Sequence, residues 1–291
     1  MATPSLCIMS SYLEDAILNW VFKGGTNFPE DNYVALFTTI PWKSGSGTEV
    51  TGGGYTRIHP NQPYVRSATL DASTYTNSGS ISFLEATSDW GTVTHWAITS
   101  ASEGMSGSGL LFFGEFINPK EVVEGDYIKI PERDLEINLY NAYSDYLADM
   151  VLNRTLNGSS TGSVTFASPG SSIYLALFQY GQGVGLTEVT GNNYSRISAS
   201  TWGTITSGSI SNSASCVFPM ATGAWGNITA VAITCNHAEP SEITINEPVP
   251  DILYIGNLDE VQNILSGDFV KFGTNRLYVV SDGTVAQFES E

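Results

Sequence analysis

Two hydrophobic periods alternate along the chain. In segment 12–22 the apolar residues Leu13, Ala16, Ile17, Trp20 and Val21 recur at i, i+3 and i+4, which predicts a short amphipathic helix. Ser10 or Ser11 is placed to cap it, Glu14 to complete a capping box, and Gly24 and Gly25 to end it. Beyond it the period changes to that of strands. Segments 33–38, 55–59, 80–83, 92–99, 110–116, 127–130 and 135–139 are short runs rich in β-branched and aromatic residues, separated by Gly, Ser, Asn and Pro clusters. In 92–99 both alternating faces carry large apolar groups, so this strand is expected at the centre of a sheet, covered on both sides.

The same succession then repeats. Tyr33-Val34-Ala35-Leu36-Phe37 returns as Tyr174-Leu175-Ala176-Leu177-Phe178, 141 residues later. Thr48-Glu49-Val50-Thr51-Gly52 with Tyr55-Thr56-Arg57-Ile58 returns as Thr187-Glu188-Val189-Thr190-Gly191 with Tyr194-Ser195-Arg196-Ile197. Trp90-Gly91-Thr92-Val93-Thr94 returns as Trp225-Gly226-Asn227-Ile228-Thr229, and Gly125-Asp126-Tyr127 as Gly267-Asp268-Phe269. A second helix is expected at 146–152. The reading is a mainly β protein of two tandem antiparallel β-sandwich modules, residues 1–141 and 142–291, each with a short N-terminal helix.

Charge narrows the partners. The 291 residues include 29 acidic and only 11 basic side chains, for a net charge of −18, and the two halves carry −9 each. Nucleic acid and anionic membrane are therefore poor partners, since both demand clustered Lys and Arg. Partners should instead present Lys or Arg, or meet the chain through apolar and backbone contacts. No apolar stretch approaches the length of a bilayer span, and segment 1–10 lacks the basic and apolar regions of a signal peptide, so none is expected. Three cysteines, Cys7, Cys216 and Cys235, make no disulfide framework. Neighbouring strands would allow one Cys216–Cys235 bridge, but two free buried thiols are the favoured reading.

The residues of the first copy carry a resemblance. The N-terminal helix, Tyr33-Val-Ala-Leu-Phe37, Thr48-Glu-Val-Thr-Gly-Gly-Gly-Tyr55, Asn77-Ser78, Trp90-Gly-Thr-Val-Thr94 and Gly125-Asp126 together resemble a small bacteriophage virion module of the tail-fibre or minor-tail kind. The second copy departs from it with Gly191-Asn192-Asn193 in place of the glycine triplet and an added stretch near 235–251. The resemblance implies a virion building block and no catalyst.

Candidate chemistry is sparse. The glycine triplet lacks the Lys-Ser/Thr of a phosphate loop and precedes a strand, so it reads as a turn with positive φ. His95 reads as a core histidine, and Cys235-Asn236-His237 offers too few ligands for a structural zinc site. Glu85 and Asp89 flank Trp90 as a glycosidase pair would, but the matching positions in the second copy are Met220 and Ala224. Asp126 and Asp268 read as turn-forming residues. No catalytic residue, metal or cofactor is assigned. Trp90 and Trp225, being repeat-equivalent, read as core or shared contacts, whereas Trp42 and Trp202 sit near loops and are the candidates for a partner-facing surface.

The leading expectation is thus a non-enzymatic virion structural protein, assembled in the bacterial host cytoplasm and attached to other virion proteins of tail, neck or capsid. It is expected to form a homo-oligomer or to sit in a ring or lattice, where two tethered modules would occupy neighbouring equivalent positions. Capsid decoration, and carbohydrate or receptor binding at the tail, are the alternatives.

Overall fold

The computed structural model describes residues 7–9, 11–23, 32–62, 64–66, 74–104, 109–139, 151, 173–181, 185–206, 208–234, 252–280 and 287–288. The chain is mainly β, with open sheets arranged in two units whose bulk is Asn27–Leu139 and Ala167–Glu291. Helix α1, Ser11–Lys23, buries Leu13, Ile17 and Trp20 of the expected stripe, whereas Ala16 is half-buried and Leu18, outside that stripe, is buried as well. Glu14 is also buried and accepts a hydrogen bond from Lys43 Nζ at 2.6 Å. The expected stop at Gly24 and Gly25, the expected helix at 146–152 apart from Val151, and Cys235 to His237 lie outside the described residues. Among the described residues no helix is long and apolar enough to cross a membrane.

In the first unit the main sheet has the order β1-β7-β6-β2, built from β1 (Cys7–Met9), β2 (Tyr33–Phe37), β6 (Gly91–Thr99) and β7 (Leu110–Val122), all antiparallel. Strand β6 is central, as its two-sided apolar pattern requires, with Val93 and every residue from Trp96 to Thr99 buried. Beside this sheet lie a three-stranded one, β3 (Tyr64–Arg66), β4 (Thr74–Asn77) and β9 (Glu136–Asn138), and a two-stranded one, β5 (Ile81–Ser82) with β8 (Lys129–Ile130).

The second unit repeats the scheme. Strands β10 (Tyr174–Gly181), β15 (Gly226–Thr234) and β16 (Ile252–Ile264) take the places of β2, β6 and β7. Strands β11 (Gly185–Glu188) and β12 (Ile197–Ser198) pair with β10, and β14 (Cys216–Val217) pairs with β17 (Lys271–Phe272). Strand β13 (Ser209–Ser211) joins the large sheet through β18 (Leu277–Val280) and β19 (Gln287–Phe288), and the β16–β19 pair is parallel. Even the irregularities recur. The β6–β7 ladder shifts register between Val93 and His95 and between Ile98 and Thr99; the β15–β16 ladder shifts at the matching residues, Ile228/Ala230 and Ile233/Thr234. One core face is likewise repeated, with Ala35, Phe37, Ala97 and Leu110 matched by Ala176, Phe178, Ala232 and Ile252.

Three strand expectations need correction. Segment 55–59 is not a strand; only Ile58 bridges, exchanging backbone bonds with Val34 at 2.8 and 3.0 Å, because Tyr55 and Arg57 turn toward Glu49. The ladder of β7 runs six residues beyond Phe116 to Val122, although its hydrophobic run ends there. Strands β3 and β4 were not expected at all, since β4 reads Thr-Tyr-Thr-Asn; yet all four of these residues are buried.

That polar strand is tied in by Asn77. Its Nδ2 donates to Gly79 O and Pro131 O at 2.8 and 2.7 Å, and its Oδ1 accepts from Leu135 N at 2.8 Å. Asn212 does the same in the second unit, to Ala214 O and Gly273 O, both at 2.7 Å, and from Leu277 N at 2.9 Å. Each amide is buried and fastens a strand to a distant loop. Asn77→Ala and Asn212→Ala should each cost about 1–3 kcal/mol through stranded backbone groups; urea denaturation of the variants checks this, with an unchanged midpoint counting against it.

Candidate functional site

The repeated motif T-E-V-T-G-x-x-Y-x-R closes into one buried polar cluster. In the first module Arg57 Nε and Nη2 grip the two oxygens of Glu49 at 2.7 Å each, and Arg57 Nη1 donates to Ala101 O at 2.6 Å and Thr99 Oγ1 at 3.1 Å. Tyr55 Oη donates to Glu49 Oε1 at 3.0 Å while accepting from Leu36 N at 2.9 Å. The second module repeats the bonds around the carboxylate and the tyrosine: Arg196 Nε and Nη2 to Glu188 at 2.8 and 2.7 Å, Tyr194 Oη to Glu188 Oε1 at 3.0 Å, and Leu177 N to Tyr194 Oη at 2.9 Å. Burial, reinforced by the adjacent glutamate, pushes both tyrosine hydroxyls well above their ordinary range, so they stay neutral and able to donate.

Around each tyrosine an aromatic cage is built. Tyr55 stacks on Phe83 with centroids 6.0 Å apart and meets Trp90 edge-on at 5.6 Å; Tyr194 stacks on Phe218 at 6.1 Å and meets Trp225 edge-on at 5.6 Å. The tryptophans are buried and donate onward, Trp90 Nε1 to Gly53 O at 3.0 Å and Trp225 Nε1 to Asn192 O at 3.1 Å. They thereby hold the turn that follows the motif's glutamate.

This turn is left-handed at three successive residues in both modules. Gly52, Gly53 and Gly54 have φ of 71°, 54° and 75°; Gly191, Asn192 and Asn193 have 69°, 49° and 67°. Asparagine is among the few residues that accept this region, and here it also works as a tie. Asn192 Nδ2 donates to Ala224 O at 3.0 Å and Asn193 Nδ2 to Met220 O at 2.9 Å. The space differs to match. A Cβ on Gly53 would come within 2.7 Å of Ser88 O and 2.8 Å of Ser88 Oγ, whereas the residue matching Ser88 is Gly223, where a Cβ would come within 2.6 Å of Asn192 Oδ1. A Cβ on Gly53 would also come within 2.8 Å of Trp90 Nε1, so the glycine there answers to the tryptophan and the Ser88 backbone as well as to the Ser88 side chain.

One further turn completes the tip of each module. Asp126 N donates to Val123 O at 3.0 Å and Asp268 N to Leu265 O at 3.1 Å, and the carboxylate of Asp268 accepts from Leu265 N at 2.9 Å. Gly125 N and Gly267 N donate to Ala86 O and Ala221 O, both at 2.8 Å. Large apolar groups are exposed on the tips among polar and acidic ones. Leu84, Val123 and Tyr127 are exposed in the first module; Met220, Leu265 and Phe269 in the second. Tyr127 with Phe269, and Val123 with Leu265, are repeat-equivalent, so the exposure itself is duplicated. Reading the sequence for catalysis did not single out these residues, although large apolar groups in Gly-Asp turns were the available signal.

The other candidates fall as follows. Trp42 is 59% exposed with φ of 53°, in a loop closed by Gly45 N bonding Trp42 O at 3.0 Å. Trp202 is not on the surface: it is buried, its Nε1 donating to Ala199 O at 2.7 Å, because the loop that carries it folds onto its own backbone. Glu85 and Asp89 are both exposed, and Asp89 Oδ1 caps a turn by accepting from Glu124 N at 3.0 Å. His95 is half-buried with Nδ1 at 2.7 Å from Thr94 Oγ1, and its burial lowers its pKa against the opposing pull of Glu115. Cys216 is a free buried thiol, pushed up by desolvation and so poorly nucleophilic. Among the described residues no three His, Cys, Asp or Glu side chains are placed to hold a metal.

These features define a duplicated β module whose repeated Glu, Tyr and Arg residues bond to one another inside it and whose tips expose large apolar residues at equivalent positions. The family model described as podophage GP4 fiber I protein gp80 matches residues 8–138 and again 142–280, and the chain belongs to that family, as two tandem copies. No curated protein matches the chain.

Two predictions arise from this geometry. Arg196→Met strands the Glu188 carboxylate where its side chain is only 2% exposed, and should cost about 3–5 kcal/mol. Arg57→Met should cost less, since the Glu49 side chain is 16% exposed; chemical denaturation of both variants reads the difference. Gly53→Asn should destabilise, and Ser88→Gly, which removes the Oγ contact but leaves Ser88 O and Trp90 Nε1 in place, should relieve part of that cost, with a coupling of about 1 kcal/mol in a double-mutant cycle; additive effects would show that the Ser88 side chain takes no part.

Proposed function

We propose that the chain is a tail-associated or fibre-attachment module that binds other virion proteins and catalyses no reaction. Membership of a phage fibre family over both halves supports a virion structural role. The single observation that carries the finer reading is the duplicated tip, with Tyr127 57% and Phe269 55% exposed at equivalent positions. Interior polar groups of each motif are occupied by partners within the module, while exposed aromatic residues recur where a contact would be made. Two modules, 1–141 and 142–291, would then engage two neighbouring equivalent sites of an oligomeric partner, the second contact strengthened by tethering. Assembly would take place in the host cytoplasm.

Exposed Trp42 is proposed as a further partner-facing residue, outside the tips. Its exposure is equally the feature a carbohydrate- or receptor-binding module needs, and that is the second reading.

Immunogold electron microscopy of purified particles should place label on the tail or neck. Label spread over the head would replace the attachment reading with capsid decoration, and particles without label would end the structural one. Trp42→Ala should leave stability within about 0.5 kcal/mol, as for an exposed site, while lowering the amount of protein retained on particles; unchanged retention would remove Trp42 from the contact.

A further inference from the structure

The two tips share a backbone but not their charges. In the first module Phe83 N donates to Ile128 O at 2.9 Å, Ala86 N to Asp126 O at 2.8 Å and Gly125 N to Ala86 O at 2.8 Å, so that Leu84 and Glu85 are set against Asp126 and Tyr127. Asp89 Oδ1 accepts from Glu124 N at 3.0 Å, which brings two more acidic residues together, and Glu121 stands opposite Thr92 on the adjoining ladder. The second module forms the same backbone bonds, from Phe218 to Val270, Ala221 to Asp268 and Gly267 to Ala221 at 2.9, 2.8 and 2.8 Å. Where the first has Glu85, Asp89, Glu121 and Glu124, however, it has Met220, Ala224, Asn263 and Ser266. The first tip thus carries five carboxylates, Asp126 included, against Lys120 and Lys129; the second carries Asp268 against Lys271. Asp259 and Glu260 stand further back on β16, at the positions of Ile117 and Asn118 in β7.

The fold does not require the four added carboxylates, since the second module closes the same turns without them. All four are exposed, and among the described residues none of them forms an ion pair. Lys120 is taken up by its own turn, donating to Tyr127 O at 2.8 Å and lying 4.0 Å from Asp126 Oδ2. Like charges gathered in this way repel one another, at a cost that nothing inside the module offsets. Leu84, Val123 and Tyr127 lie among them, 64%, 45% and 57% exposed. The complement of such a surface is a group of lysine or arginine side chains around an apolar centre. A second copy of this chain, with a net charge of −18, brings the wrong sign.

We propose that the tip of the first module docks a partner virion protein through clustered lysine or arginine side chains, met by Glu85, Asp89, Glu121 and Glu124. The apolar centre of the partner's surface rests on Leu84, Val123 and Tyr127. The second tip makes its contact through apolar surface, so attachment is sensitive to charge at one module and not at the other. This deepens the virion-binding reading above and rests on it. It also gives Glu85 and Asp89, spaced as a glycosidase pair would be, a part in recognition instead of catalysis.

The test uses particles assembled by a phage deleted for this chain, incubated with the purified full-length protein, with retained protein measured across a salt series. Wild type should bind, and less so as salt rises. Glu85→Gln with Glu124→Gln should weaken binding roughly tenfold at low salt and flatten the salt dependence. Asp259→Asn with Glu260→Gln removes the same number of exposed charges from the second module and should leave both as in wild type. The second module already holds uncharged residues at the positions of Glu85 and Glu124, so the fold accepts the first pair, and unchanged thermal unfolding of both variants confirms that binding alone is being read. If wild type binds but the Glu85 and Glu124 pair can be neutralised without loss, or the Asp259 and Glu260 pair loses as much, the docking proposal is overturned and the virion reading stands. If wild type binds no particles, or binds host envelope instead, both fall.

Discussion

Each module is organised around a glutamate that has been taken out of water. Desolvating a carboxylate and a guanidinium costs several kcal/mol per ion, and a single contact between them does not recover it. The cluster recovers it by completeness. Both oxygens of Glu49 are gripped by Arg57, one also takes the Tyr55 hydroxyl, and the remaining guanidinium nitrogen is spread over Ala101 O and Thr99 Oγ1. Because those partners come from the strand edge, the turn and the end of β6, the ion pair is satisfied only when all three are in place. Tyr55 then positions Phe83 and Trp90, and Trp90 fixes the turn at Gly53. The tips are the outward consequence of this inward requirement.

How much of this is legible in sequence depends on whether a residue's role follows from local pattern. The first helix, the central strand β6, the duplication and the positive-φ turn are written in spacing and composition, and the structure agrees with each. Strand β4 is not, because Thr74, Thr76 and Asn77 are buried by virtue of partners far along the chain; Asn77 meets Pro131 and Leu135. Trp202 failed for the converse reason. Loop composition marks it as exposed, but its indole hydrogen bond folds it inward.

The Glu-Tyr-Arg cluster was visible without being recognised. Three polar residues kept at the same spacing in both copies, amid apolar strands, are poor candidates for surface positions, and their retention is what a shared buried network produces. Reading the motif only for phosphate binding or turn formation attended to its glycines and passed over its charges. The tips show the opposite limit: their exposure is a property of the assembled loops, and only the recurrence of large apolar groups after Gly-Asp turns hinted at it.

The close fit between positions 53 and 88, and its mirror at 192 and 223, bears on how the two halves of the gene can exchange information. Tandem copies invite recombination with one another, and such exchange would keep them alike. Here a short tract copied from the second half into the first would set an asparagine against Ser88, and the reverse tract would remove the asparagine ties to Met220 and Ala224. Tracts long enough to carry both partners keep each set of contacts intact. A steric pairing within each half thus acts as a barrier to homogenisation, letting two copies of one ancestor drift apart on their surfaces while their interiors stay the same.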